Sequence, residues 1–171
     1  LKVATIATGS TQHLAAKLFE IVAGIQTLLV PYKGSPAVLT ALRAGEVDAA
    51  FEIAGPMVAQ VQAGAVKALA VTSSQRNPAL PAVPTVAEAG VQGYDVASWN
   101  ALAAPKGTPQ HVVDVLERAA REAVADPAVR EKLGKLGVRL AAGTPAELDA
   151  LLSSELERWG NVIRAAKIEP E

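Results

Sequence analysis

The sequence predicts an α/β domain of three layers, with a mostly parallel sheet between helices. Short apolar runs alternate with amphipathic stretches through residues 1–72, which is the strand–helix rhythm of a parallel sheet. Glycine follows each amphipathic stretch, and serine begins two of the three, as is typical of helix ends and starts. With 171 residues, 50% of them hydrophobic and 19% charged, the chain can bury a core and is not a disordered polymer.

Each element in residues 1–72 has its own local signal. The predicted strands are short apolar runs, at Lys2–Ala7, Thr27–Pro31, Val47–Ile53 and Val66–Thr72. The predicted helices are amphipathic and end just before or near a glycine, at Ser10–Ala23, Ser35–Arg43 and Pro56–Ala63. For the second helix, Ser35 supplies an N-cap, and Pro36 follows at the first helical position.

The pattern changes after Ser73. Three prolines in SSQRNPALPAVP predict a surface connection. Thr85–Glu88 has the spacing of a capping box and opens a short turn, and Val91–Ala104 contains a long extended run. The remaining predicted elements are helices beginning at Pro109, Pro127 and Pro145, and a brief strand at Val138–Ala141. The last helix, Pro145–Ala166, has a wide apolar stripe that needs a packing partner.

Composition and motifs exclude several classes of function. Sixteen Lys and Arg residues against 17 Asp and Glu residues leave no basic surplus for nucleic acid or an anionic membrane. There is no cysteine, and two histidines are too few for a His-rich metal site. Phosphate-binding, zinc-protease and serine-hydrolase signatures are also missing from the sequence. We therefore predict no catalytic residue, no metal and no cofactor.

Two strand–helix turns are the candidate binding residues. Thr8–Thr11 follows the first predicted strand, and Tyr32–Ser35 follows the second. In an open parallel sheet both turns lie at the carboxyl edge, where the free N–H groups and positive dipole ends of the helices attract carboxylate or phosphate. Gly9 and Gly34 permit close backbone approach, while serine and threonine add hydroxyl donors. Ordinary N-caps need the same residue types, so the residues alone leave both interpretations open.

Glu52 and the histidines also have alternative interpretations. Glu52 ends the third predicted strand at the same edge and is either a ligand acceptor or a plain edge carboxylate. His13 and His111 each lie in the first turn of a predicted helix and are interpreted as surface or capping residues. Ser10 with His13 would suit a small hydrolase, but the pair lacks an orienting carboxylate. Trp99 is interpreted as a core residue.

Several stretches resemble the Bug family, the extracytoplasmic solute-binding proteins of tripartite tricarboxylate transporters. The stretches are GSTQHLAAKLF, VPYKGSPAVLTAL, GEVDAAF, AGAVKALAVTSSQRNPALPAVPTVAEAG, SWNALAAPKGTP and ERWGNVIRAAKIEPE. The resemblance that they carry extends over essentially the whole chain. The resemblance implies a receptor that closes two α/β lobes of type II periplasmic-binding-protein architecture around a small carboxylate. It also implies that this chain lacks the N-terminal lobe, since nothing in it corresponds to that lobe.

The resemblance implies further expectations about organisation and partners. Residues 1–104 would form the second ligand-binding lobe, and residues 105–171 a helical tail that packs partly toward the missing first lobe. The ligand would be a dicarboxylate, an amino acid or an aromatic acid, delivered in the periplasm to a membrane permease. The precursor would carry a signal peptide, and this chain, which begins at Leu1, would be a processed or cut form. Without its first lobe it would expose an apolar patch that favours self-association.

The resemblance also shifts the interpretation of the two turns toward ligand contact. The positions that match the family's site are Thr8, Gly9, Ser10 and Thr11, then Tyr32, Lys33, Gly34 and Ser35, and finally Glu52, where the family more often has Asp. This chain has Ile6-Ala7-Thr8 where relatives often carry further Gly or Ser. A ligand-sensing or interaction module without a transport role is the alternative function, and a small hydrolase is less favoured.

Overall fold

Residues 1–169, which the computed structural model describes, form three strands and six helices. In chain order they are β1 (Lys2–Ile6), α1 (Thr11–Ala23), β2 (Leu28–Tyr32), α2 (Ser35–Ala44), β3 (Ala49–Ala50), α3 (Ala54–Gln62), α4 (Gln110–Ala125), α5 (Pro127–Lys135) and α6 (Pro145–Ala165). Pro170 and Glu171, the end of the predicted helical tail, lie outside the described residues.

The three strands form one parallel sheet in the order β2-β1-β3. The central strand β1 pairs Ile6 with Tyr32 of β2 and Ala4 with Ala50 of β3. Ala4 and its neighbour Thr5 are completely buried, as expected for a central strand covered on both faces. The predicted parallel sheet is therefore confirmed.

Helices cover both faces of this sheet. On one face, Val38 and Ala41 of α2 pack against Ala4. On the other face, Ala15 of α1 packs in a second cluster with the loop residues Val86, Tyr94 and Val96. Ala50 belongs to the first cluster and Phe51 to the second, so successive side chains at the end of β3 point to opposite faces. The predicted three-layer α/β class is confirmed.

The helix-end signals explain where the first helices begin and end. Ser10 caps α1, and Gly24 ends it in the left-handed conformation (φ 66°), which glycine adopts without strain. The second helix differs by one position from the prediction, because Gly34 is the N-cap and Ser35 is the first helical residue. Ser35 does not cap the helix because its hydroxyl bonds to Glu52 instead.

The C-terminal helices differ in how well they are covered. The predicted capping box of α6 is confirmed: the Glu147 N–H donates to Thr144 Oγ1 (3.1 Å), and the Thr144 N–H donates to Glu147 Oε2 (2.7 Å). The C-terminal half of α6 reaches the sheet domain, where Trp159 packs against the second cluster. In contrast, α4 and α5 contain no buried residue.

Two predicted strands are wrong. Val66–Thr72 makes only an isolated bridge, in which the Val71 N–H donates to Pro84 O (2.8 Å) and Val71 O accepts from the Val86 N–H (2.9 Å). Proline has no N–H to extend such a ladder, so the pairing stops there. Val138–Ala141 is not a strand either, since no partner strand lies beside it in residues 1–169.

Three other expectations need correction. The strand predicted at Val47–Ile53 is only the two-residue β3. Helix α3 begins at Ala54 rather than Pro56, because proline is tolerated within a first turn, where its missing N–H would have no partner. Trp99 is not a core residue: it is 40% exposed, since its extended segment has no covering layer among the described residues.

Candidate functional site

Three strand–helix turns meet at the carboxyl edge of the sheet. They join β1 to α1, β2 to α2 and β3 to α3, and the strands are parallel neighbours. Ile6 pairs with Tyr32, and continuing the β1–β3 register by two residues places Glu52 beside Ile6. Ser10 and Ser35 thus lie at helix N-termini on the same edge, which confirms that part of the prediction.

The first turn is held by a set of short-range hydrogen bonds. Ser10 Oγ accepts from the His13 N–H (3.2 Å) and donates to Ile6 O (2.9 Å), and the Ser10 N–H donates to Ala7 O (3.0 Å). Gly9 has φ 79° and donates its N–H to His13 Nδ1 (3.3 Å). The Ser10 hydroxyl therefore accepts a hydrogen bond as the cap of α1 and donates its proton to β1, so both of its roles are taken by the protein.

His13 is buried, although the sequence analysis interpreted it as a surface or capping residue. It is 8% exposed, so the surface interpretation is wrong, whereas the capping interpretation is confirmed by its bond to Gly9. Burial lowers the pKa of His13, and the positive charge of Lys17 lowers it further. The Ser10 hydroxyl donates to Ile6 rather than to the imidazole, so no serine–histidine pair is set up for hydrolysis.

Donors remain at this turn that no group in residues 1–169 accepts. Within residues 1–169, the N–H groups of Thr11 and Gln12 have no hydrogen-bond acceptor, as is usual in a first helical turn. Thr8 and Thr11 are exposed, and their hydroxyls make no hydrogen bond in the described part of the chain. These groups can donate to an anion at the positive end of α1.

The second turn contains one exposed cation and one engaged hydroxyl. Gly34 O accepts from the N–H groups of Ala37 (3.1 Å) and Val38 (3.2 Å), which starts α2. Lys33 is exposed, and its ammonium is in no ion pair within residues 1–169. Tyr32 packs against the first core cluster. The Ser35 hydroxyl donates to Glu52 Oε2 (3.0 Å), so it is not free for a ligand.

Glu52 links the second and third turns across the end of β1. Its Oε2 atom accepts from Ser35 Oγ and from the Ile53 N–H, each at 3.0 Å. Its Oε1 atom is buried and has no hydrogen-bond partner among the described residues. In this conformation the carboxylate therefore binds protein donors and orders two of the three turns.

An apolar groove lies beside the first turn. Its volume is about 510 Å³, and it is open to solvent between Thr11, residues 97–99 and α6. Trp99, Trp159 and Leu156 supply much of its wall. No local sequence pattern predicts this groove, because its walls come from three segments, each about 50 to 90 residues from the next along the chain.

Residues 1–169 contain no group of three or more His, Cys, Asp or Glu side chains that could hold a metal ion. Among the helices of that part of the chain, none is both long enough and apolar enough to cross a membrane.

Comparison with known proteins gives a match along nearly the entire chain. The family described as "Tripartite tricarboxylate transporter family receptor" matches residues 1–168. A protein in the tcbD-tcbE intergenic region of Pseudomonas sp. strain P51 is 42% identical over 164 residues, which is 95% of this chain and 49% of that protein. Protein BugT of Bordetella pertussis is 35% identical over 92% of this chain and 48% of its own length.

Solved structures give the same result. The R. palustris protein Rpa4515, solved with adipate, superposes with a TM-score of 0.88 at 35% identity, covering 100% of this chain and 57% of that chain. MatC of Rhodopseudomonas palustris, solved with bound malate, gives a TM-score of 0.76 at 32% identity, over 95% of this chain and 56% of its own. The chain thus spans about half the length of the relatives that it matches.

Proposed function

Because the chain belongs to the tripartite tricarboxylate transporter receptor family, we propose that it forms one ligand-binding lobe of a periplasmic solute receptor. The family is one of receptors rather than enzymes. The receptor captures a small carboxylate and delivers it to the membrane permease of a tripartite transporter. One observation supports this function best: three parallel strands end at one edge, where Thr11 and Gln12 offer N–H groups that have no acceptor within residues 1–169.

The proposed ligand contacts follow from which donors are free. The carboxylate lies at the positive end of α1, where Thr8 and Thr11 add hydroxyls and Lys33 adds a positive charge from the neighbouring turn. Gly9 and Gly34 let the ligand approach the backbone, and Tyr32 forms part of the wall. Ser10, Ser35 and Glu52 act by holding the turns, since their side chains are engaged with the protein.

A small dicarboxylate is the proposed ligand class. Adipate and malate, which two solved relatives bind, are both dicarboxylates. An opposing lobe would supply donors for the second carboxylate, since Lys33 is the one exposed cation at this edge of the sheet within residues 1–169. Amino acids and aromatic acids are the other ligand classes to test.

The proposed lobe comprises residues 1–104, and residues 105–171 form a tail that packs partly against another lobe of the receptor. The absence of buried residues in α4 and α5 supports this division. The exposed apolar segment around Trp99, within residues 1–104, supports a second lobe that would cover it. Without such a lobe, we propose that these apolar surfaces favour self-association of the chain.

An NMR titration of the 15N-labelled chain with adipate, malate, aspartate and benzoate tests the function. We expect amide shifts concentrated at residues 8–12 and 33–35, with dissociation constants in the millimolar range, or about 4 kcal/mol. Binding is weak because solvent screens a half-site that no opposing wall covers. Shifts located elsewhere, or no shifts with any of the four acids, would contradict the proposal.

A matched pair of variants locates the contact. Thr11→Ala removes an exposed hydroxyl that is free at the proposed site, and we expect it to weaken adipate binding about threefold to tenfold. Thr40→Ala removes an exposed hydroxyl on α2 that donates to Pro36 O, and it should leave adipate binding unchanged. Equal effects of the two substitutions would place the ligand elsewhere.

A further inference from the structure

A buried imidazole lies directly behind the proposed carboxylate site. His13 is the third residue of α1, and its Nδ1 atom accepts the Gly9 N–H (3.3 Å), while its own N–H donates to the N-cap Ser10 (3.2 Å). The two bonds form a reciprocal arrangement like a capping box, with histidine in place of the usual Glu or Gln. They hold Gly9 at φ 79°, just before the Thr11 and Gln12 N–H groups, which have no acceptor within residues 1–169.

We propose that His13 is a positioning residue of the carboxylate site, whose neutral imidazole holds the Gly9 turn in the form that presents the Thr11 and Gln12 N–H groups to the ligand. The proposal rests on the proposed function of that turn. His13 does not touch the ligand. It acts through Gly9 and Ser10, so its effect depends on its protonation state.

The hydrogen bond to Gly9 requires a neutral ring. An Nδ1 atom that accepts an N–H must carry a lone pair, so the ring proton lies on Nε2. Protonation turns both ring nitrogens into donors, and Nδ1 then opposes the Gly9 N–H. It also places a positive charge at the N-terminal end of α1, where the helix dipole disfavours it.

The groups around His13 also favour its neutral form. Burial lowers the pKa of His13, Lys17 of the same helix lowers it further, and Glu20 partly opposes this shift. Of the strands packed against α1, β2 carries no Asp, Glu, Lys or Arg, and the one such residue of β1, Lys2, donates its N–H to Asp48 at the opposite edge. On α6, Arg158 pairs with Glu155, and Glu157 and Arg164 are exposed. In the loop packed against α1, the Tyr94 hydroxyl donates to Ala15 O, Asp95 accepts the Ser74 N–H, and Glu88 pairs with Arg76.

The expected result is a binding site that weakens in acid. The neutral form predominates above the lowered pKa of His13, so anion binding there is independent of pH. As the pH falls through that pKa, the competent fraction falls, and the apparent dissociation constant rises about tenfold for each further pH unit. Direct attraction between a charged imidazole and the anion would give the opposite trend.

Sulfate is a suitable NMR probe, because its charge does not change between pH 7.5 and pH 4.5. For the unsubstituted chain, we expect its dissociation constant to rise in step with the titration of the His13 ring. In His13→Gln, the amide oxygen can accept the Gly9 N–H and does not titrate, so binding should be retained and vary less than twofold with pH. In His13→Ala, we expect binding weakened about tenfold at every pH.

His111→Gln is the matched control. His111 is exposed on α4, so this variant should retain the full pH dependence of the unsubstituted chain. A dissociation constant that is flat or falls in acid in the unsubstituted chain overturns the proposal. So does an unchanged sulfate affinity in His13→Ala when its amide spectrum shows a folded protein.

The Gly9 amide distinguishes this proposal from the proposed function. If no anion binds at any pH, the proposed function fails, and the positioning role is judged from the Gly9 amide shift alone. A shift that follows the His13 ring titration, and that is absent in His13→Gln, supports the turn-holding role. A Gly9 amide shift that does not change as the His13 ring titrates overturns the turn-holding role.

Discussion

Tyr94 joins the loop at residues 94–96 to α1 through one buried hydrogen bond. Tyr94 is 2% exposed, and its hydroxyl donates to Ala15 O (2.9 Å). Burial raises the pKa of the Tyr94 phenol, so the group stays neutral at physiological pH. We expect Tyr94→Phe to lower the free energy of unfolding by about 1 kcal/mol, since the edge-to-face contact with Phe19 remains and only the hydrogen bond is lost.

Urea denaturation of Tyr94→Phe and Tyr32→Phe provides the comparison. Tyr32 is half-buried, and its hydroxyl makes no hydrogen bond within residues 1–169, so its substitution should cost less than about 0.5 kcal/mol. The two variants should differ in midpoint and not in slope. Equal midpoints would show that the Tyr94 hydroxyl contributes nothing.

Glu20 makes stability depend on pH. Burial alone would raise its pKa, but hydrogen bonds from Thr27 and Lys17 outweigh burial and lower the pKa of Glu20 below its ordinary value of 4.5. A lowered pKa stabilises the folded state above the unfolded value, and this stabilisation is lost as the pH falls through the folded value. We expect the free energy of unfolding to fall below about pH 4.5, and the fall to be smaller in Glu20→Gln.

Thermal unfolding between pH 7 and pH 3 measures this dependence. Glu46→Gln is the control, since Glu46 is exposed and makes no ion pair in the described part of the chain. At pH 7, Glu20→Gln should itself cost about 1–2 kcal/mol, because a charged acceptor of three donors is lost. Parallel pH profiles for Glu20→Gln and the unsubstituted chain would contradict the assignment.

At the residue scale, the sequence predicted where the polar residues of the turns lie better than which groups they bind. Ser10 and His13 lie four residues or fewer from every group that they bind through their side chains, so the cap followed from local spacing. Ser35 was expected to offer its hydroxyl to a helix or a ligand. It bonds instead to Glu52, 17 residues away, and the pairing of β2 and β3 on either side of β1 brings the two turns together.

At the scale of elements, the helices were predicted better than the strands, of which β1 and β2 were predicted within one residue at each end. A helix closes its own hydrogen bonds, so caps and glycine stops locate it: α1 and α6 begin and end within one residue of the prediction. A strand needs a neighbour. Val66–Thr72 has an apolar strand pattern, but the segment beside it contains Pro84, and Val138–Ala141 has no partner within residues 1–169.

The first turns of α6 depend on their cap more than on packing. Leu151 and Leu152 are exposed, and the buried residue of this helix is Val162, near its other end. Thr144→Ala removes an acceptor from the capping box, which costs a helix about 1 kcal/mol. We expect amide hydrogen exchange at residues 147–152 to become about fivefold faster, while exchange near Val162 is unchanged.

Ser153→Ala is the control for the cap. Ser153 lies on the same helix and donates to Asp149 O, and no N–H of the helix start depends on it. Its substitution should not accelerate exchange at residues 147–152. If Thr144→Ala instead lowers the midpoint of global unfolding and leaves local exchange unchanged, the start of α6 is part of the cooperative core.

At the scale of the whole molecule, apolar surface is exposed away from the sheet. The extended segment carries Trp99 and Leu102, α4 carries Val115 and Leu116, and Leu156 lies on α6, all of them exposed. The sequence stripe of α6 predicted a packing partner, and its N-terminal half has none within residues 1–169. Since the chain spans about half the length of its relatives, another lobe is the partner that we propose for this surface.

In the chain by itself, this surface should drive self-association. Leu156 is 67% exposed in the groove beside Trp99, and burying a leucine contributes about 1.5–3 kcal/mol to association. We expect sedimentation equilibrium to give an average mass that rises with concentration, and Leu156→Glu to weaken association at least about tenfold. Leu69→Glu, at a 66% exposed leucine outside the groove, should leave association unchanged. A chain that stays monomeric at millimolar concentration, or equal effects of the two substitutions, would show that the α6 groove does not mediate association.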